Sequence, residues 1–381
     1  MIRLTIPSIE EDDLRAVREA LASGFLVQGK RVDAFEHAMA DYLGTKHAVA
    51  VSNCTAALHL SLLAIGVHRD DLVLVTTYSW IATANVIELC GAKPVFIDIQ
   101  PDTFNMDPEI LSITLKELMS DKDTARRVKA ILPVHTFGQM ADLSEITRIA
   151  APYQLPVIED AACALGARWN SQQAGTWGKM GCFSFHPRKA ITTGEGGIIA
   201  TDDPDLTKGL KSLRSHGQDF NAETIDFCQP GFNYRMTEFQ ASLGTTQLAK
   251  LDRIIAARRR LAAHYDHLLS GSPLRTPFVP PASRPVYQSY VVLLPESAAG
   301  RRNELIIWLK EQGIETTIGT CHMPLTTFFR NKYNFHAGDF PVTDQVFQRS
   351  LTLPLHEFLT PIEQQTVADK IMEWLNQAER L

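Results

Sequence analysis

The chain has 381 residues, 45% hydrophobic and 21% charged, the balance of a soluble globular protein that is too long for one small core and is expected to form two domains. A net charge of −6 without a basic face argues against nucleic-acid binding, and the run Arg258, Arg259, Arg260 falls in a helical pattern as a solvated face. Six scattered cysteines, Cys54, Cys90, Cys163, Cys182, Cys228 and Cys321, lack metal-ligand or redox spacing; with an acidic N-terminus that has no signal-peptide apolar region, they point to a cytoplasmic protein with free thiols and no metal.

In chain order, AVAV at 48–51 is the first strand and leads into a helix at 55–65. The uncharged stretch from His47 to Val67 is broken by Ser52, Asn53, Cys54 and Thr55, so it reads as a strand and helix pair and no membrane span is expected. LVLVT at 72–76, PVFID at 94–98 and VKAILPV at 128–134 follow, then a helix over 142–153. PVIED at 156–160, GCFSF at 181–185 and GIIAT at 197–201 complete the series. Near-continuous apolar strands separated by helices imply an α/β fold with a mainly parallel sheet sandwiched by helices, and such sheets bind ligands at the carboxyl ends of their strands.

From Thr237 the pattern turns to long helices, with Leu248, Leu251, Ile255, Ala262, Tyr265 and Leu269 at helical spacing. After the proline-rich stretch 278–285, a strand YVVLL and a helix over 303–312 begin a smaller α/β unit. The expected division is an N-terminal arm and large domain over 1–250, then a connecting helix and small C-terminal domain over 251–381.

The segment FSFHPRKAITTGEGG, residues 183–197, places Lys189 after an apolar strand among hydroxyls and glycines. A lysine forms a Schiff base only when its amine is partly deprotonated, which calls for a desolvated or cation-flanked site; His186 and Arg188 are the candidate cations. Taken alone, Lys189 reads as a solvated surface lysine, and the rest of the chain has to overturn that reading. Ser52 to Ala56 ends a strand and opens a helix, so the amides of Thr55 and Ala56 can bind an anion, or Asn53 and Thr55 simply cap the helix. Asp160 ends PVIED, where it could hold a pyridine nitrogen in its protonated form or cap a following helix. Trp80 in YSWIATAN offers a flat face for an aromatic ring, or fills a core. Ser184 could donate to the same phosphate as the helix amides, or be an ordinary strand serine. Together, in this order and each at a strand end, these features describe a site for an aldehyde cofactor with a phosphate tail.

The segments VSNCTAALHLSLLAIGV, GAKPVFIDIQPDTFNMDP, LPVHTFGQMADL, VIEDAACALGA, FSFHPRKAITTGEGG, GFNYRMTEFQASLGTTQL and LTLPLHEFLT run through the chain from end to end. In that order they resemble the DegT/DnrJ/EryC1/StrS family of sugar aminotransferases, enzymes of fold type I that depend on pyridoxal 5'-phosphate. The resemblance implies that Lys189 carries the Schiff base, Asp160 pairs with the pyridine nitrogen, Trp80 stacks on the ring, and Thr55, Ala56 and Ser184 hold the phosphate. It also implies that Asn233 reaches the phosphate of a neighbouring subunit, so that a homodimer shares its active sites. Two positions depart from the family pattern. Cys163 stands where many relatives have glutamine or histidine, which places the usual bond to the cofactor's 3-oxygen in question, and Cys54 replaces a frequent glycine.

The implied reaction is a ping-pong transfer in which glutamate is the amino donor and a nucleotide-linked keto sugar the acceptor, with Lys189 as general acid and base. Tyr234, Arg235 and His322 are candidates for contacting the substrate, and each is also an ordinary packing or surface residue. Alternative readings are a keto-sugar dehydratase, disfavoured by retention of Lys189, a keto-cyclitol aminotransferase, and a non-catalytic regulatory protein of the same fold.

Overall fold

The computed structural model describes residues 1–378. Its main sheet is built from β1 (His47–Val51), β2 (Leu72–Thr76), β3 (Lys93–Ile97), β4 (Val128–Leu132), β5 (Ile158–Asp160), β6 (Met180–Ser184) and β7 (Gly197–Thr201). The spatial order is β1-β7-β6-β5 and β4-β2-β3, and the parallel bridges Ile131 to Val157 and Val134 to Asp160 join the two halves into one seven-stranded sheet. Only β7 runs against its neighbours β1 and β6. The mainly parallel architecture follows from strands that are apolar on both faces: Phe183 and Ile198 enter one core with Phe35 and Met39, while Cys182 and Ile199 enter another with Leu58 and Leu62.

The helix Cys54–Ala64 is buried on nearly every side, as its apolar sequence CTAALHLSLLA requires, and packs on the Cys182 and Ile199 face. The opposite face is covered by the helices Lys30–Leu43 and Glu238–Leu248. Beyond the long helix Leu251–Leu268, β8 (Tyr290–Leu293), β9 (Thr317–Ile318) and β10 (Ser350–Leu353) form an antiparallel sheet in the order β8-β10-β9. Its core unites Tyr265, Tyr290, Leu305, Leu353 and Ile371.

This C-terminal sheet is tied to the main one close to the carboxyl end of β2. Cys321 and His322 pair with Ser79 and Tyr78, the Tyr78 hydroxyl meets Ser350 Oγ at 2.7 Å, and Asp98 Oδ1 accepts from the Thr343 amide at 3.0 Å. Among the described residues, no helix is long and apolar enough to cross a membrane, and no group of three or more His, Cys, Asp or Glu side chains could hold a metal ion.

Candidate active site

Strand register alone assembles the site. Val51, Gly197 and Ser184 lie side by side across β1, β7 and β6, and Asp160 of β5 sits opposite Cys182 of β6. The carboxyl ends of β1, β5 and β6 therefore share one edge of the sheet. The loop carrying Lys189 leaves from that same edge. Gly197 also lets the helix Cys54–Ala64 start there: a Cβ on it would stand 2.6 Å from the Asn53 carbonyl carbon and 2.8 Å from the Cys54 nitrogen, distances a packed backbone does not tolerate.

At the helix start, both readings of the Ser52 to Ala56 segment hold in part. Asn53 caps the helix, its Oδ1 accepting from the Ala56 amide at 2.8 Å. The Ala56 amide, expected to bind phosphate, is thus already satisfied within the chain. The Thr55 amide has no acceptor among the described residues, and Thr55 is exposed. It points the positive end of an eleven-residue helix toward the ends of β6 and β7. Ser184, half-buried across from Gly197, has only the His186 amide on its Oγ, at 3.4 Å, and keeps its own proton to donate.

Asp160 is 5% exposed. No helix follows it; instead its Oδ1 accepts from the Ala162 amide at 3.1 Å while Oδ2 accepts from the Thr83 hydroxyl at 2.7 Å. Burial raises the Asp160 carboxyl above the usual range, against the lowering by Thr83, the Ala162 amide and Lys189. Thr83 lies one turn after Trp80, and its oxygen is also 3.3 Å from Ser79 Oγ, so a Ser79–Thr83–Asp160 chain orients the carboxylate. The sequence reading missed Thr83. Its signal was the spacing of Ser79 and Thr83, four residues apart around Trp80. Trp80 itself is 66% exposed, so it fills no core within this chain and its ring face is open.

Two further buried residues, also missed, support the edge. Glu159 accepts from the amides of Gly175, Trp177 and Gly178, each at 2.7 Å, and from His135 Nε2 at 2.8 Å. Because the Ala141 amide donates to His135 Nδ1 at 3.1 Å, the ring proton belongs on Nε2, facing Glu159. The His135 amide donates in turn to the Asp160 carbonyl at 3.0 Å, which fixes the end of β5.

Lys189 is held by tight turns: its amide donates to the His186 carbonyl at 2.8 Å, and Gln288 Nε2 donates to the Arg188 carbonyl. Its Nζ donates to Cys163 Sγ at 3.1 Å. Here the sequence expectation about the amine is corrected. Burial lowers the Lys189 ammonium as anticipated, but Cys163, Cys54 and Asp160 outweigh it, and the net shift is upward. The anticipated cations His186 and Arg188 do not govern the amine. Acidic and thiol groups surround it.

Asn233 is exposed, with no side-chain partner among the described residues. Tyr234 is less available than expected: its ring stacks on Phe232 at 4.9 Å and its hydroxyl lies 3.4 Å from His59 Nδ1. Arg235 bridges to Val51, beside the helix start, and its guanidinium has no ion pair or hydrogen bond among the described residues. His322 is also less available to substrate than expected. It is 3% exposed, its Nε2 is bound to Asp344 Oδ1 at 3.0 Å, and Phe340 and Phe347 pack on its ring.

The donor set suits a flat, anionic, aldehyde-bearing cofactor: an amine, a buried carboxylate, an open helix amide, a hydroxyl and an open indole on one sheet edge. Comparison with known proteins agrees. The sequence model of the DegT/DnrJ/EryC1/StrS aminotransferase family matches residues 7–372. GDP-perosamine synthase of Caulobacter vibrioides is 36% identical over 379 residues, covering 99% of this chain and 98% of the relative. An aminotransferase of Brucella abortus from the same family superimposes with a TM-score of 0.88 at 32% identity, over 96% of each chain. Spr1654 of Streptococcus pneumoniae, solved in a PLP-form, gives a TM-score of 0.91 at 26% identity over 99% of each chain. The chain belongs to the DegT/DnrJ/EryC1/StrS family of sugar aminotransferases, and is an aminotransferase of its fold.

Proposed function

We propose that this aminotransferase uses pyridoxal 5'-phosphate to move an amino group from glutamate to a keto group of a nucleotide-linked deoxysugar. The observation that carries this reading is the convergence of Lys189 Nζ, the Asp160 carboxylate and the open Thr55 amide on one sheet edge. Pyridoxal phosphate, when bound, supplies an electron sink for a carbanion at the amino-bearing carbon. Asp160, oriented by Thr83, holds a proton at the pyridine nitrogen. The Lys189 amine binds the aldehyde and, once released, carries a proton between carbon atoms of cofactor and substrate. The Thr55 amide and the Ser184 hydroxyl hold the phosphate, and Trp80 covers the ring.

We further infer a homodimer in which the exposed Asn233 of each copy reaches the phosphate of the other, with the unpaired Arg235 directed at an anionic group of the substrate. The division into a cofactor domain over 1–250 and a smaller domain from 251 belongs to the same proposal, as does a cytoplasmic setting for the free cysteines. The test is mass spectrometry of the purified enzyme incubated with glutamate, pyridoxal phosphate and a panel of nucleotide-linked keto sugars. Formation of 2-oxoglutarate together with an aminated nucleotide sugar is expected. Turnover of a keto sugar without amination would overturn the proposal.

A further inference from the structure

We propose that Cys163 and Lys189 form an oxidative modification site, at which hydrogen peroxide joins the two side chains through a covalent sulfur–nitrogen bond. Sγ and Nζ are 3.1 Å apart, and among the described residues each is the other's only side-chain hydrogen-bond partner. The contact is built and does not depend on two loose side chains meeting. Cys163 lies in a turn closed by the Ala164 amide on the Ala161 carbonyl at 2.9 Å, and that turn is anchored to β6 by the Ala161 amide on the Cys182 carbonyl. Gly138, at φ +91°, presses on the same turn so closely that a Cβ there would stand 3.0 Å from the Cys163 carbonyl oxygen. Lys189 is fixed by its own turn on the neighbouring side. Cys163 is half-buried, which leaves its sulfur within reach of a small oxidant.

The chemistry balances with hydrogen peroxide as the only added reactant. The Cys163 sulfur attacks one peroxide oxygen, the O–O bond breaks, and the proton shared between sulfur and Nζ passes to the departing hydroxide, giving a sulfenic acid, one water and an unprotonated Lys189 amine. The Lys189 nitrogen then attacks that sulfur. A S–N bond forms, the S–O bond breaks, and the hydroxide leaves with a proton from nitrogen as a second water. The protein has lost two hydrogens in all, sulfur has been oxidised and peroxide reduced. An external thiol reverses the link by attacking sulfur and returning the electron pair to nitrogen.

The cross-link itself stands on the 3.1 Å contact; its consequence for the cofactor rests on the functional reading above, because a lysine joined to sulfur has no amine left for a Schiff base. The experiment treats the full-length protein with hydrogen peroxide, with and without added pyridoxal phosphate, followed by intact-mass measurement and peptide mapping. The expected result is a loss of two hydrogens, with the peptide containing Cys163 joined to the one containing Lys189. Dithiothreitol should reverse the link, and Cys163→Ser should abolish it. Oxidation of Cys163 to the sulfinic acid with Lys189 free, or mapping of the lost hydrogens to a disulfide with Cys54 or Cys182, would overturn the proposal, and both can be read on the natural chain without any variant. Bound pyridoxal phosphate should suppress the link severalfold. If the link forms equally with cofactor present, the modification site stands and the assignment of Lys189 to the cofactor falls.

Discussion

Replacing Thr83 with valine removes one hydroxyl and little else, since the two side chains have nearly the same shape. That hydroxyl donates to Asp160 Oδ2 at 2.7 Å, and Oδ1 keeps only the Ala162 amide. Thr83 is 1% and Asp160 5% exposed, so water cannot replace the lost donor without repacking. A hydrogen bond to a charged group contributes about 1.5–3 kcal/mol, and burial argues for the full range without discount. The sign is fixed by which form of Asp160 the hydroxyl favours. It favours the carboxylate, so Thr83→Val raises the Asp160 carboxyl further, and the loss of stability is complete only where Asp160 is charged. The variant should be less stable by about 1.5–3 kcal/mol at neutral pH, and the gap should close as pH falls through the folded-state value of Asp160. Denaturant unfolding of both proteins across pH measures it. Equal stability at neutral pH, or a gap that widens on acidification, would refute the role given to Thr83.

Gly197→Ala forces a methyl against the Asn53 carbonyl and Cys54 nitrogen; it should lower unfolding free energy by about 1–3 kcal/mol and weaken pyridoxal phosphate about tenfold or more, and unchanged affinity in a titration would contradict the phosphate cradle. Burial holds His59, His322 and His356 below the ordinary value of 6.5. Between that value and their folded values the unfolded chain binds protons that the folded chain does not, so stability is fully present above 6.5 and falls as pH drops through the window. A denaturation midpoint that is flat from about pH 7.5 to about pH 5 would contradict this. Mixing an inactive Lys189→Ala chain with an Asn233→Ala chain should restore activity in the mixed dimers, each of which can hold one intact site; confirmed subunit exchange with no activity would sink the shared-site proposal.

Strand positions were legible because each central strand is apolar on both faces, a pattern that composition carries directly. The direction of β7 was not, since GIIAT reads alike in either orientation and only its pairing with β1 and β6 decides it. Lys189, Asp160 and Ser184 were legible as candidates because each ends or follows a strand. Thr83 escaped notice because its spacing from Ser79 is a faint signal, and nothing in the helix Ala82–Leu89 names the buried carboxylate it meets. The Ala56 amide was misjudged because the Asn53 side chain could either turn away or cap, and the short distance to Oδ1 settles that choice. His322 looked available in GTCHMPL, where nothing nearby in sequence announces Asp344 or the two phenylalanines that enclose it. Likewise the amine's surroundings were set by Cys163 and Asp160, residues brought from β5 and its following turn, and not by the adjacent His186 and Arg188.

The central claim is that Lys189 is the residue that binds the cofactor's aldehyde. Its most direct test is to add pyridoxal phosphate to the full-length protein, reduce with borohydride, and map the modified peptide. The account predicts a single stable adduct on Lys189, lost in Lys189→Ala together with the visible absorbance. An adduct on any other lysine, or visible absorbance that survives in Lys189→Ala, would contradict it.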